Sequence, residues 1–335
     1  MAYRRKQPRP LQKSSGNIVI PVNNTSAGLA EYKRQQKLMG NTFEITVVAD
    51  DESWANESIN MAIAEIKRIE KLLTTFDDNS ETNQVNRMAG IAPVVVDREM
   101  FELVKRSLKI SAITDGAFDL SYGSVDKRLW NFDKNMTSLP DEATAKSMVK
   151  LINYRNIMLD EKACTIFLKE KGMRIGFGGI GKGYAADMAK AMLQKNAVES
   201  GIVNASGDLV AWGSQANGKP WTIGIASPDN ARLPFSYMNI SGMAVATSGN
   251  YEKYVVVDGK KYSHTINPKT GLPVTGIKSV TIIAPHAELA DAMATPVTIM
   301  GVHAGLNLIN QVKGLACIII DDNNRIYSSN NINLQ

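Results

Sequence analysis

Residues 176–187 read GFGGIGKGYAAD, and the fold turns on what this glycine-rich stretch is not. Gly176, Gly178 and Gly181 satisfy G-x-G-x-x-G, the dinucleotide-binding pattern, and Gly176 through Lys182 satisfy most of a P-loop. A P-loop needs Ser or Thr after its lysine to hold magnesium, and position 183 is glycine. A Rossmann unit places an acidic residue at the end of the next strand, which here ends in Asn204–Ala205. Both identifications fail. What survives is a glycine turn whose backbone N–H groups and Lys182 suit phosphate, although a turn needed only for tight packing would have the same composition.

Upstream, Thr42–Ala49 (TFEITVVA) predicts a strand, and Ile59, Ile63, Ile66, Ile69 and Leu73 recur at the spacing of a helix. Phe76–Arg87 is polar and reads as a loop or short turn. Met100–Ala112 repeats the helical period, Pro140 and Asp141 open a short helix, and residues 155–175 read as a strand pair. Downstream, Tyr184–Leu193 is helical, and IVNAS, DLVAWG, WTIGIA, MAVATSG, KYVVVDG, SHTINP and SVTIIA predict strands up to about Ala284. Helices over about 287–300 and 303–312 and a strand at Ala316–Asp321 close the pattern. Strands and helices are segregated rather than alternating. The expectation is an α+β fold, one compact domain of mixed or antiparallel sheets with flanking helices over residues 38–335. Residues 1–37 are expected to form a flexible basic segment.

The net charge of +5 is carried by Arg4, Arg5, Lys6, Arg9 and Lys13, so the remainder is balanced and a nucleic-acid binder is not expected. Cys164 and Cys317 lie in apolar runs and read as buried strand residues. His264, His286 and His303 share no ligand spacing, which argues against zinc. No stretch approaches a membrane span, and the start of the sequence as given has neither the apolar segment of a signal peptide nor a lipid-anchor cysteine.

Two further places offer chemistry. Asp291 and Thr295 are four apart, on one face of a predicted helix, and supply hard oxygens suited to Mg²⁺; an exposed acid and a back-bonded threonine would look the same. His264 precedes the turn Asn267–Gly271, where it could act as a general base or be a satisfied structural histidine. No G-x-S-x-G occurs to support a serine hydrolase.

Read in order, LMGNTFEI (38–45), TTFDDNSETNQVN (74–86), DGAFDLSYG (115–123), GGIGKGYAAD (178–187), NASGD (204–208), ATSGNYEKY (246–254), SHTINPKTG (263–271) and ADAMAT (290–295) resemble the FAD:protein FMN transferase family, the ApbE-like proteins. The resemblance implies a Mg²⁺-dependent transferase. Such an enzyme cleaves the FAD pyrophosphate, attaches FMN through a phosphoester to a Ser or Thr of an acceptor protein, and releases AMP. It implies flavin contacts at Met39 and Phe76, the latter where the family has a stacking tyrosine. Ala117, Phe118, Asp119, Lys182 and Thr265 fall at other FAD-contacting positions. Gly179, through its carbonyl, Asp291 and Thr295 fall at the Mg²⁺ ligands, and His264 at the base toward the acceptor hydroxyl. Two positions depart from the family pattern: Gly176 and Asn267 each stand where an aspartate is frequent. The implied acceptor is a flavin-carrying subunit of a membrane redox complex, so any membrane relation is indirect, and the family commonly faces outward from the cell envelope. With water as acceptor, the same site would be an FAD pyrophosphatase; a flavin-binding or catalytically decayed relative is the other reading.

Overall fold

A computed structural model describes residues 28–126, 138–226, 234–249, 254–257, 259–263 and 265–332. The chain opens with a hairpin of β1 (Ala30–Leu38) and β2 (Asn41–Ala49), whose two-residue turn, Met39–Gly40, has positive φ at both positions (51° and 72°). Next come α1 (Glu52–Leu73), α2 (Glu81–Arg87), β3 (Val94–Val95), α3 (Arg98–Ile113), α4 (Glu142–Val149), β4 (Ile157–Asp160), β5 (Thr165–Leu168) and α5 (Gly181–Lys195). The second half holds β6 (Gly201–Ala205), β7 (Asp208–Trp212), β8 (Trp221–Ala226), β9 (Pro234–Ile240), β10 (Met243–Gly249), β11 (Tyr254–Val257), β12 (Lys260–Ser263) and β13 (Ile277–Ala284). It ends with α6 (Ala287–Met300), α7 (Val302–Gln311), β14 (Ala316–Asp321) and β15 (Ile326–Ser328).

Eight strands form one sheet in the order β1-β2-β6-β7-β10-β13-β14-β15, every neighbouring pair antiparallel. Its centre is buried on both sides. In β7 (DLVAW), Val210 and Trp212 join the core beneath the helices, while Leu209 and Ala211 join a second cluster with Trp221 and Ile240 of the β8–β9 hairpin. Period-two alternation thus assigns successive residues to opposite apolar layers. On the helical side α1, α5 and α6 lie side by side. α1 contributes Ile59, Ile66 and Ile69, each almost wholly buried and each worth roughly 1.5–3 kcal/mol against exposure. Its start is fixed by Asp51, whose side chain accepts the Trp54 N–H at 2.6 Å, a cap worth about 1 kcal/mol. The α+β architecture expected from the segregated elements is the one found.

Several details differ from the sequence reading. The sheet begins at Ala30, with Tyr32 already buried, so a boundary at 37/38 falls inside the first hairpin. Within the polar stretch 76–87 lies α2, started by Ser80, whose hydroxyl accepts the Asn83 N–H at 3.1 Å. Pro140 lies before α4 rather than in its first turn: Asp141 is the cap and Glu142 the first helical residue. Cys164 occupies a left-handed turn (φ 51°) before β5 rather than the strand itself. Among the described residues, no helix is long and apolar enough to cross a membrane.

Candidate functional site

The site sits at one end of the large sheet, where β10 runs past the start of β7. β10 pairs with β7 only through Met243–Val245, so Thr247, Ser248 and Gly249 extend beyond it, paired to β13. The tight turn between β6 and β7, Ser206–Gly207, has φ values of 54° and 102°, and it delivers Asp208 to the same rim.

The glycine turn lies above. α5 begins on Gly181 because the first helical bond is Tyr184 N–H to the Ile180 carbonyl, at 2.9 Å. The Gly183 N–H, which would otherwise turn back to Gly179, donates to Asp291 Oδ2 at 3.0 Å. The Gly179 carbonyl therefore stays outside the helical ladder. Glycine at 183 has a steric cause as well. A Cβ there would lie 2.1 Å from the Ala287 carbonyl oxygen and 2.8 Å from Asp291 Cβ, so only glycine lets α6 come this close. This close approach requires glycine at the position where a P-loop carries Ser or Thr.

Gly179, Lys182, Asp291 and Thr295 line one cavity of about 140 Å³, together with Asp208, Gly178, Ala294 and the β10 residues Thr247–Gly249. Asp291 and Thr295 stand one turn apart on α6, both toward this space. Lys182 Nζ is 2.5 Å from Asp208 Oδ2. Asp208 and Asp291 are both buried, at 4% and 7% exposure, and among the described residues the Lys182 ammonium group lies beside both. Burial and the nearby Asp208 push the Asp291 carboxyl up to about 7, against the pull of Lys182 and the N–H bonds it accepts. The donor set of carboxylate, hydroxyl and free carbonyl oxygens is that of a hard divalent cation, and Mg²⁺ fits it.

None of the other predicted residues that are described lines this cavity. Met39, at the tip of the first hairpin, is half-buried; its N–H donates to Glu70 Oε1 at 2.8 Å, and its methyl group lies against Gly181. Phe76 is 99% exposed on a loop held from behind: Asn83 Nδ2 donates to the Thr75 and Asp77 carbonyls at 2.9 and 2.8 Å. Phe118 is buried, its ring edge 3.7 Å from where a Cβ on Gly179 would stand. Asp119 is occupied structurally, accepting the Ser121 N–H, the Ser121 hydroxyl and the Tyr154 N–H at 2.8, 2.6 and 2.7 Å; burial still holds its carboxyl above the usual range. Ala117 lines a second cavity, of about 220 Å³, with Asn267 and Lys269. Thr265 is buried, its N–H donating to Ser263 Oγ at 3.0 Å. His264 lies outside the described residues. Of the two departures, Asn267 still fixes its bend, accepting the Lys269 N–H at 2.9 Å, and Gly176 donates its N–H to the Leu120 carbonyl at 3.0 Å.

Asp208 was not singled out by the sequence reading. The available signal was an acid opening a strand otherwise made of Leu, Val, Ala and Trp, where burial is certain and a partner therefore required.

A buried cavity lined by two acids, a lysine and a glycine turn, against a closely docked helix at the end of an antiparallel sheet, has a lining that suits phosphate. The chain belongs to the ApbE family, whose model matches residues 39–319. It is 32% identical over 300 residues to the FAD:protein FMN transferase of Klebsiella pneumoniae (strain 342), covering 89% of this chain and 92% of that protein. It is 29% identical over 322 residues to the FAD:protein FMN transferase of Treponema pallidum (strain Nichols), covering 90% and 88%. Its fold is similar to the crystal structure of the ApbE protein of Thermotoga maritima, with a TM-score of 0.81 and 30% identity over 90% of this chain and 97% of that one.

Proposed function

We propose that this protein is a Mg²⁺-dependent FAD:protein FMN transferase that forms a phosphoester between FMN and a Ser or Thr of an acceptor protein and releases AMP. The observation that carries the reading is the convergence of Asp291, Thr295, Lys182 and the Gly179 turn on one cavity. Asp291, Thr295 and the Gly179 carbonyl would hold Mg²⁺, which supplies Lewis-acid polarisation of the pyrophosphate when bound.

The residues of the chain do the rest. Lys182, drawn from Asp208 toward the incoming phosphates, neutralises their charge; Gly178, where a Cβ would meet nothing within 4 Å, leaves room for their approach. Met39 and Phe76 take the isoalloxazine, with the exposed phenyl ring as a stacking surface. Ala117, Phe118 and Thr265 line the remainder of FAD, and Asp119 fixes the turn that presents them. His264 takes the proton of the acceptor hydroxyl. Its oxygen then bonds to the FMN phosphorus as the bond from that phosphorus to the bridging oxygen of AMP breaks. The acceptor is a flavin-carrying subunit of a redox complex.

The test is incubation with FAD and Mg²⁺, with and without an acceptor domain, followed by mass spectrometry of the acceptor and assay of free AMP. Acceptor carrying FMN is the expected result. FMN and AMP released equally, with no modified acceptor, would instead make the protein an FAD pyrophosphatase. His264→Ala should lose transfer, and transfer at the native rate by that variant would remove His264 from the mechanism.

A further inference from the structure

We propose that Asp187, the last residue of the GGIGKGYAAD segment, is a positioning residue for the divalent cation, because it caps α6 from α5 and so fixes Asp291 and Thr295 against the glycine turn. The inference rests on the metal site proposed above. α6 has no side-chain cap of its own: His286, at its N-cap position, makes no such bond. In α1, α2, α3 and α4 the local residues Asp51, Ser80, Asp97 and Asp141 fill that role. For α6 the acceptor comes from another helix. The Ala287 N–H donates to Asp187 Oδ1 at 3.0 Å, and the Glu288 N–H to Oδ2 at 2.9 Å.

Asp187 does not line the cavity, so it acts through the residues it holds. Its carboxylate lies one turn beyond Gly183 on α5, and Asp291 lies one turn beyond Ala287 on α6. The two helices are thus joined at two points: Asp187 to the α6 start, and the Gly183 N–H to Asp291 Oδ2. A slip of α6 by one residue, about 1.5 Å along its axis, breaks both joints. The absent Cβ at Gly183 permits the close approach, and Asp187 sets its register. Arg106 of α3 also grips this turn, through a two-bonded pair with Glu288 at 2.7 and 2.9 Å, but it holds a side chain and not the helix backbone.

The experiment compares Asp187→Ala, Asp187→Asn and Glu288→Gln in the full chain. Mn²⁺ binding is read from the loss of the free-ion EPR signal, the Mg²⁺ requirement from half-maximal FAD cleavage, and FAD affinity from flavin fluorescence in EDTA. Asp187→Ala should weaken Mn²⁺ binding and raise the Mg²⁺ requirement about tenfold or more, with turnover recovered at saturating Mg²⁺ and metal-free FAD affinity retained. Asp187→Asn, with one acceptor oxygen left, should fall between it and the parent, and it carries the comparison if the alanine variant does not fold. Glu288→Gln should keep the parental cation requirement. Native Mn²⁺ affinity in Asp187→Ala, or an equal loss in Glu288→Gln, overturns the assignment. A parent chain that binds no Mn²⁺ and cleaves FAD in EDTA would overturn the metal site itself, a failure visible before any substitution is made.

Discussion

The two ends of the candidate site are built on opposite principles. At the glycine turn, Asp208 and Asp291 are withdrawn from water and bonded to the partly exposed Lys182 or to backbone before any ligand arrives. At the proposed flavin end, Phe76 stands in solvent, and the loop behind it is tied down. The difference follows from what each end must handle. Charged groups in a low-dielectric site gain strength from preorganisation, and their desolvation has to be offset within the fold. An aromatic face needs no partner to be stable and gains only when something covers it. The charged end should therefore fail sharply on substitution, and the aromatic end gradually.

Asp291→Ala is the strongest way to break this contrast. It should lower FAD cleavage and FMN transfer together by at least about a hundredfold, measured as turnover at saturating Mg²⁺. Loss of only one of the two reactions would separate them. Gly183→Ala should come next. Its methyl group has no space beside the Ala287 carbonyl, and the expected cost is roughly 3 kcal/mol of stability, read by urea denaturation, with the proposed cation site lost even where the chain still folds.

The third prediction concerns pH. Folding raises the Asp291 carboxyl from 3.8 to about 7, so between those values the folded chain keeps a proton that the unfolded chain has lost. Metal-free stability from this group therefore falls as pH rises through that window. At the proposed site a cation would replace the proton, so Mg²⁺ should raise the melting temperature more at pH 8 than at pH 6, and Asp291→Asn should abolish the difference. Equal shifts at both pH values in the parent would contradict the assignment. The smallest effect is expected at the aromatic end. Phe76→Ala should weaken FAD binding by about 1 kcal/mol, seen by flavin fluorescence, and leave stability within about 0.5 kcal/mol.

The legibility of the sequence follows the same division between buried and exposed. α1, α3 and α5 repeat their apolar residues at the period of a helix, because each presents one face to the core, whereas β2 and α6 read as apolar runs because they are buried on more than one side. β1 reads AEYKRQQKL and β15 reads IYS; as edge strands with solvent on one side, they carry too few apolar residues to show a period. α2, ETNQVNR, has a single aliphatic residue, and it buries Thr82, Asn83 and Asn86 to hold the Phe76 loop and the Ile175 backbone. Hydrogen-bonding needs of this kind leave no periodic trace. For the site, the spacing of Asp291 and Thr295 suggested oxygen ligands, but it could not say that the glycine turn, over a hundred residues earlier, lies opposite them. Resemblance to the family supplied that pairing. Asp208 was absent from the expectation because its meaning depends on Lys182, which only the β6–β7 turn brings within reach.

The order of the large sheet has one more consequence. Its two outer strands leave half their backbone groups unpaired among the described residues, and a second copy could in principle add its own strand there. At one border β15 spans three residues, too few to template a partner. At the other, β1 is nine residues long but carries Lys33, Arg34 and Lys37, so two such borders brought together would set like charges against each other. Growth of the sheet from molecule to molecule is opposed at both ends.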